Sequence, residues 1–363
     1  MTTQWVWQDQ NWPNFIYDRE LFVELEQQFI QNSGFIFGAQ QHISVTEQNQ
    51  LTIDLASEEA ITSSAIEGEI LNRESVRASL LKYFGLITHD VKVPALEQGI
   101  SFIIQDIYHN FAAPLTHDSL CSWHLHLTSN RLDLNSVGYY RRHTEPMQII
   151  SGSGNKPKVY YEAPSSNIIP QEMDRYIAWY NHNNLTVLVK AGIAHAYFEL
   201  IHPFEDGNGR IGRAIIEKTI ALYFKRPVLL SLSKIIQKQK KEYYAALSTC
   251  NRKLDITEWL IYFCNTMLTA QQYTKEHINF IIAKRKLYDK LKNQLNFRQN
   301  KVLSRIFREG IDGFTGGLSA ENYIAITKTS RATATRDLQE LVTLGAFYKV
   351  GELKGTRYYL KIK

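Results

Sequence analysis

Apolar residues recur three and four positions apart along most of the chain, which is the spacing of amphipathic helices. The pattern is clear in five early segments, residues 18–31, 48–68, 94–111, 116–129 and 170–183. It continues in four later segments, about 184–200, 208–224, 240–251 and 255–273. The sequence therefore predicts a mainly α fold.

One stretch breaks the helical pattern. The run "EPMQIISGSGNKPKVYYEAP" contains two β-prone segments on either side of "SGSGNKP". Apolar segments joined by a short loop rich in Gly, Asn and Pro are typical of a β-hairpin. We therefore expect a hairpin over residues 146–163, inserted between helices.

The last part of the chain has a different pattern and a different charge. Residues 297–363 predict three helices followed by two strands, the order of a winged helix-turn-helix, with Ser330 as N-cap of its recognition helix. From Lys284 onward there are 17 Lys and Arg against 7 Asp and Glu, while the whole chain has a net charge of +5. A basic tail on an acidic body makes DNA a candidate partner through Arg331 and Arg336, but these arginines could also face solvent, and winged helices often mediate protein contacts instead of DNA binding.

The bulk composition favours a cytoplasmic protein. Only three cysteines occur in 363 residues, too few for a disulfide framework. The first residues lack the basic start and apolar run of a signal peptide. The most apolar window, residues 185–201, contains Lys190, His195 and Glu199, which indicates a buried helix and no membrane partner.

The run "IHPFEDGNGRIGR", residues 201–213, concentrates polar groups directly after that apolar helix. Gly207 and Gly209 let backbone N–H groups converge at the start of the next helix, where the helix dipole favours an anion such as phosphate. Arg210 and Arg213 are three positions apart and can flank that anion. Asp206 offers a hard oxygen ligand for Mg²⁺, and His202 is suited to proton transfer near neutral pH.

This run resembles the Fic family signature, H-x-F-x-[D/E]-G-N-G-R-x-x-R, at every defined position. The resemblance implies a Fic-type helical bundle that transfers AMP from ATP to a Ser, Thr or Tyr hydroxyl of a target protein and releases pyrophosphate. It implies that His202 is the general base and that Asp206 holds Mg²⁺. The ATP site that it implies is formed by Glu67, His202, Gly207, Asn208, Gly209, Arg210, Ile211, Gly212 and Arg213, with Tyr244 and Asn251 on the adenosine side.

A second short motif precedes the core. "SSAIEG", residues 63–68, is similar to the inhibitory pattern [S/T]-x-x-x-E-[G/N] of the same family. Ser63 and Glu67 are four residues apart and share a helical face, and Gly68 can end the helix. The resemblance implies that Glu67 pairs with Arg213 in place of the γ-phosphate, so that the enzyme is autoinhibited.

The resemblance also suggests a division of the chain. We expect an N-terminal helical region with the inhibitory helix at 1–99, a Fic catalytic core at 100–270, a linker helix at 271–296 and a winged-helix domain at 297–363. The hairpin at 146–163 matches the family's flap, which docks a target segment by strand addition. Self-modification near the flap, at Tyr160 or Tyr161, is a further hypothesis.

Three alternatives stay open from the sequence. The chain could be a DNA-binding regulator whose Fic core senses nucleotide, and a Fic enzyme could also remove AMP or use another phosphate donor. His195, Glu199 and His202 have a spacing that could place metal ligands on one helical face, as in a zinc hydrolase, although no third-ligand pattern supports this.

Overall fold

The computed structural model describes residues 4–87, 92–151, 158–228, 230–308, 310, 311, 314 and 316–361. Within this part of the chain most residues are helical and the strands form two small antiparallel hairpins, which confirms the predicted fold class. The chain divides into two compact units, residues 1–35 with 48–272 and residues 36–47 with 273–363. The predicted four-part division into domains stays a prediction.

Fourteen α-helices occur in the described part of the chain. In the first half they are α1 Glu20–Gln40, α2 Val45–Ile66, α3 Arg73–Tyr83, α4 Ala95–Asn110, α5 His117–Thr128, α6 Ile169–His182 and α7 Val187–Ile201. In the second half they are α8 Asn208–Phe224, α9 Leu232–Lys238, α10 Lys240–Ser248, α11 Thr257–Lys290, α12 Phe297–Arg308, α13 Ala320–Thr327 and α14 Arg331–Thr343.

Side-chain caps explain several helix starts. Thr116 accepts a hydrogen bond from the Ser119 backbone N–H at the start of α5, and Asn72 accepts one from Ser75 at the start of α3. Such caps satisfy N–H groups that have no partner within the helix. Ser330 caps α14 in the same way, as the sequence predicts.

The core of the larger unit is built around the helix pair α7 and α8. Nearly every residue of α7 is buried, which explains its continuous apolar sequence. Helix α6 packs against α7, and α4 and α5 pack against α8. The polar turn between α7 and α8 is therefore attached to two helices that the core holds in place.

The predicted hairpin is present between α5 and α6. Strand β1 Gln148–Ser151 pairs antiparallel with β2 Lys158–Glu162, and the tip at 152–157 lies outside the described residues. Strand β2 is braced from two directions, because the Trp7 indole N–H donates to the Glu162 carbonyl at 2.8 Å and the Asn251 side chain donates to the Tyr160 carbonyl at 3.2 Å.

The smaller unit has its own apolar core. Its three last helices precede strands β3 Phe347–Val350 and β4 Arg357–Leu360, which pair antiparallel. Val302, Leu338 and Phe347 are among the buried residues that join these helices to the hairpin. This is the element order expected of the winged-helix prediction. Among the described residues no helix is long and apolar enough to cross a membrane.

Candidate active site

The polar turn is shaped by two residues with left-handed backbone conformations. Helix α7 ends at Ile201, and His202 follows with φ 51° and ψ 59°. Gly207, with φ 83°, precedes the first residue of α8, Asn208. A left-handed conformation is strained for residues other than glycine and is often found at functional sites. The predicted position of the cluster, a loop plus the first turn of the next helix, is confirmed.

Asn208 holds the turn closed. Its side-chain oxygen accepts from the Phe204 backbone N–H at 3.0 Å, and its side-chain nitrogen donates to the Phe204 carbonyl at 2.8 Å. The side-chain amide of Asn208 is therefore used within the turn, which leaves its backbone N–H for the predicted contact with ATP. Buried Phe204, which stacks on His124 with ring centroids 4.2 Å apart, anchors the same turn in the core.

The first turn of α8 forms a site suited to an anion, and a carboxylate occupies this site. A Cβ added to Gly209 would lie 2.2 Å from Glu67 Oε1, so the Glu67 carboxylate lies directly against this glycine. Unpaired backbone N–H groups and the helix dipole make such a position favourable for negative charge. The sequence predicts an anion site here, and the structure places a protein carboxylate at it.

Arg213 is held by three oxygens of the segment that contains the inhibitory motif. Its Nη2 donates to Glu67 Oε1 and to the Ser63 carbonyl, both at 2.8 Å, and its Nε donates to the Ser63 hydroxyl at 2.9 Å. The Arg213 side chain is almost fully buried. Gly68, with φ 88°, follows the end of α2 and turns the chain away. The pair of Glu67 and Arg213 that the resemblance implies is thus present, and Ser63 adds hydrogen bonds to Arg213 that were not predicted.

Two further ion pairs in the turn were not predicted. Arg210, only 1% exposed, pairs through Nη1 with Glu69, which lies two residues after Glu67. Asp206 pairs with Nη1 of Arg131, and Arg131 also binds Asp133 through two hydrogen bonds of 2.8 and 2.7 Å. Arg210 Nε and Arg213 Nη1 are buried and have no hydrogen-bond partner within the described residues.

The imidazole of His202 lies beside these charged side chains and is itself neutral. Its side chain is 15% exposed, and Nδ1 is 3.4 Å from the Glu199 carbonyl. Burial, reinforced by the Arg141 charge, lowers the pKa of His202 to about 4. With its proton on Nδ1 toward that carbonyl, Nε2 is free of hydrogen and able to accept a proton at neutral pH.

Arg141, which sequence reasoning missed, fixes the backbone around His202. Its backbone N–H donates to the Pro203 carbonyl at 2.9 Å, its Nε donates to the His202 carbonyl at 2.8 Å, and one terminal nitrogen donates to the Pro164 carbonyl. Burial lowers the pKa of Arg141 to about 10, so it stays charged. Its position in a loop far from the signature gives no sequence signal for this role.

Behind the signature lies a buried polar group that includes the residues of the zinc alternative. His195 Nε2 is 2.7 Å from the Tyr243 hydroxyl, and a Cβ added to Gly212 would lie 2.8 Å from both His195 Nδ1 and Glu199 Oε1. Burial raises the pKa of Glu199 to about 8 and lowers that of His195 to about 3, so both are neutral at pH 7. No group of three or more His, Cys, Asp or Glu able to hold a metal occurs in the described part of the chain.

The remaining predicted residues lie on neighbouring elements. Tyr244, on α10, is partly exposed, and burial together with the Glu67 charge raises its pKa. Asn251, just after α10, contacts the flap strand as described above. Buried Ile211 packs in the first turn of α8. Tyr161 is buried, and its hydroxyl donates to the Leu200 carbonyl at 2.6 Å, so only Tyr160 of the two flap tyrosines is exposed.

The residues present fit a magnesium–nucleotide complex. The Asp206 side chain is 32% exposed, and two guanidinium groups approach its carboxylate, those of Arg131 and Arg210. A single carboxylate that attracts cations beside a phosphate site is the usual arrangement for Mg²⁺, which takes its other ligands from substrate phosphates and water.

Comparison with known proteins agrees with this geometry. Residues 114–219 match the Fic/DOC family, and residues 5–86 match a domain of unknown function, DUF4172. The chain is 37% identical over 57 residues to "Probable protein adenylyltransferase aq_aa38" of Aquifex aeolicus, covering 15% of this chain and 18% of that protein. It is 31% identical over 90 residues to "Protein adenylyltransferase fic-1" of Caenorhabditis elegans, covering 24% and 17%. The chain thus spans less than a fifth of either relative.

Solved structures share the fold at low sequence identity. A Fic family protein from Desulfovibrio desulfuricans superposes with a TM-score of 0.54 at 20% identity, covering 96% of this chain and 98% of that one. A Fic domain containing signaling protein from Bacteroides thetaiotaomicron gives a TM-score of 0.53 at 20% identity, covering 68% and 96%. The signature at 202–213 lies within residues 114–219, the part of the chain that matches the Fic/DOC family.

Proposed function

We propose that the protein is a protein adenylyltransferase that is held inactive by Glu67. The observation that carries this proposal is the placement of a neutral imidazole beside a helix N-terminus whose first two turns carry two buried arginines. This arrangement suits a reaction in which a triphosphate is held by positive groups while a hydroxyl loses its proton.

In the proposed reaction, AMP moves from ATP to a Ser, Thr or Tyr hydroxyl of a target protein. Nε2 of His202 takes the hydroxyl proton, the hydroxyl oxygen forms a bond to the α-phosphorus, and the bond to the β-phosphate oxygen breaks as pyrophosphate leaves. Arg210, Arg213 and the N–H groups of Gly207–Gly209 hold the phosphates, and Tyr244 and Asn251 flank the adenosine. Mg²⁺ held by Asp206 would neutralise charge on the phosphates.

The resting protein needs a change before this reaction proceeds. Glu67 lies against Gly209 and pairs with Arg213 at 2.8 Å, so the position suited to a terminal phosphate contains a carboxylate. ATP that enters this site meets like charge and an occupied arginine. We infer that Glu67 lowers activity by preventing productive ATP binding.

The hairpin of β1 and β2 is the proposed docking site for the target. Only these two strands form its sheet, so β1 has an edge with no partner strand among the described residues. An extended segment can add to such an edge through backbone hydrogen bonds. The braces from Trp7 and Asn251 on β2 would keep the docked hydroxyl in register with His202.

Incorporation of α-labelled ATP into protein tests the proposal. In cell lysate with Mg²⁺, we expect weak labelling by wild type, a rise of at least about tenfold for Glu67→Gly, and none for His202→Ala; a tenfold rise corresponds to about 1.4 kcal/mol. Glu74→Gly, which removes an exposed glutamate, is the matched control and should behave as wild type. Equal labelling by wild type and Glu67→Gly would contradict autoinhibition by Glu67.

A further inference from the structure

We propose that Glu69 and Arg131 block the nucleotide site independently of Glu67, and we call this block the second closure. Glu69 stands in for a phosphate on Arg210, and Arg131 stands in for the divalent cation on Asp206. This inference rests on the proposed function, because it takes Arg210 and Asp206 as groups that hold Mg²⁺ and nucleotide.

The charges of the resting site support this view. Each charged group of the signature that would face Mg²⁺ and phosphates already has a partner of opposite charge from outside the signature. Arg213 binds Glu67, Arg210 binds Glu69, and Asp206 binds Arg131. Two carboxylates thus take the place of phosphates and one guanidinium takes the place of a metal ion.

The Glu69 pair is built into the buried part of the site. Arg210 lies in the first turn of α8, where the helix dipole already favours an anion, and its side chain is 1% exposed. The Glu69 side chain is 20% exposed and comes from the chain just after α2, held there by a hydrogen bond of 3.0 Å from its backbone N–H to the Ser64 carbonyl. A charged hydrogen bond to a buried arginine competes directly with a phosphate for the same donor.

The Arg131 pair comes from a different element. Arg131 lies in the loop after α5, where Asp133 binds the same guanidinium. The adjoining Asn135 backbone N–H donates to Glu205 at 2.8 Å, so this loop lies against the turn that contains Asp206. A cation that binds Asp206 must displace the Arg131 guanidinium, which can remain bound to Asp133.

The two pairs therefore predict different dependences on Mg²⁺. Glu69 and Glu67 belong to one short segment around Gly68, whereas Arg131 belongs to another loop. Loss of Glu69 frees a phosphate-binding donor whether or not metal is present. Loss of Arg131 frees a metal-binding carboxylate and helps nucleotide only when Mg²⁺ is present.

Calorimetric titration of the full chain with ADP tests both parts, because ADP lacks the phosphate that Glu67 replaces. Titrations are run at one ionic strength, once with Mg²⁺ and once with EDTA. We expect Glu69→Gln to bind ADP roughly tenfold more tightly in both buffers, the scale of one charged hydrogen bond. We expect Arg131→Gln to bind roughly tenfold more tightly with Mg²⁺ and no more tightly with EDTA.

Matched controls come from two neighbouring exposed residues at the start of α3. Glu74→Gln and Arg73→Gln make the same charge changes and should leave ADP affinity unchanged in both buffers. Thermal unfolding without nucleotide identifies any variant that has lost its fold, and Glu69→Ala and Arg131→Ala then replace the affected variant. Unchanged ADP affinity of folded Glu69 variants would overturn the first part. An equal change with Mg²⁺ and with EDTA for the Arg131 variant would overturn the second.

Failure of this inference and failure of the proposed function would give different results. If Glu69→Gln binds ADP more tightly but no variant incorporates α-labelled ATP into protein, the second closure stands and the transfer reaction fails. If Glu67→Gly incorporates label but neither Glu69→Gln nor Arg131→Gln changes ADP binding, transfer stands and the second closure fails.

Discussion

His202 depends on neighbours for both its conformation and its protonation. Its left-handed backbone, with φ 51°, costs a non-glycine residue about 1 kcal/mol or more. Hydrogen bonds from Arg141 to the carbonyls of His202 and Pro203 help to offset that cost. The same arginine keeps the imidazole neutral, because its charge adds to burial in lowering the pKa of His202.

The pH dependence of transfer should reflect this lowered pKa. A base with a pKa near 4, against 6.5 for free histidine, stays able to accept a proton as the pH falls below 6.5. We expect Glu67→Gly to retain most of its labelling rate at pH 6 and to lose it only well below that. A rate profile between pH 4 and 8 under saturating ATP gives the midpoint directly. A midpoint at or above 6.5 would mean that His202 is not buried as described or is not the base.

Gly212 is required because its neighbours leave no room for a side chain at this position. A Cβ there would lie 2.8 Å from Glu199 Oε1 and from His195 Nδ1, and neither buried side chain can move freely. We expect Gly212→Ala to lower the free energy of unfolding by about 1–3 kcal/mol, the usual cost of overpacking. Gly34→Ala, in a helix with nothing within 4 Å of the added Cβ, is the control and should be neutral or slightly stabilising. Equal denaturation midpoints for the two variants would show that Gly212 is not confined.

At the scale of elements, α2 and α8 meet through buried acids as well as through Ser63 and Arg213. Glu59 on α2 and Glu217 on α8 line one small cavity with Arg210 and Arg213. Ser233 donates to the Glu59 carboxylate through its backbone N–H and its hydroxyl. Burial raises the pKa of Glu59 to about 7 and raises that of Glu217, and the Glu59 charge raises the pKa of Glu217 further. The packing of α2, which ends one residue before Glu67, therefore favours protonated acids in this cavity.

The sign of the resulting pH effect follows from linkage. Below pH 4.5 these carboxyls are protonated in both the folded and the unfolded chain, so their contribution to stability is fully present. As the pH rises from 4.5 through about 7, the unfolded chain releases protons that the folded chain retains, and the free energy of unfolding falls.

Glu217→Gln removes one of the two titrating groups without changing its shape. We expect it to match wild type at pH 5 and to exceed it at pH 8 by about 1–3 kcal/mol in free energy of unfolding. Denaturant unfolding at the two pH values measures this, with exposed Glu74→Gln as control. A variant less stable than wild type at pH 8 would show that Glu217 is ionised in the folded protein.

Some elements were readable from the sequence and others were not. The start of α8 at Asn208 and the hairpin strands follow from local patterns, namely 3.6-residue periodicity and a Gly-rich turn between β-prone runs. The pairs of Arg210 with Glu69 and of Asp206 with Arg131 join residues about 140 and 75 positions apart. No local pattern specifies such contacts, because they depend on how α2 and the loop after α5 pack beside the turn.

At the scale of the whole chain, the proposed chemistry rests on the signature, and the proposed inhibition rests on the residues that pack around it. Thirteen contiguous residues, 201–213, contain the proposed base, the proposed metal carboxylate and both arginines. The groups that occupy them come from residues 63–69 and 131, well before the signature. Glu67 and Glu69, two of the three residues in the proposed regulation, therefore lie within the match to DUF4172, and Arg131 lies within the Fic/DOC match.

The most direct test of the account compares two labels on one variant. Purified Glu67→Gly is incubated with Mg²⁺, cell lysate and ATP labelled either at the α- or at the γ-phosphate, with Glu67→Gly combined with His202→Ala as the control. The account predicts protein labelling above the control from α-labelled ATP and no labelling above the control from γ-labelled ATP. Labelling above the control from γ-labelled ATP, or α-labelling equal to that of the control, would contradict AMP transfer by His202.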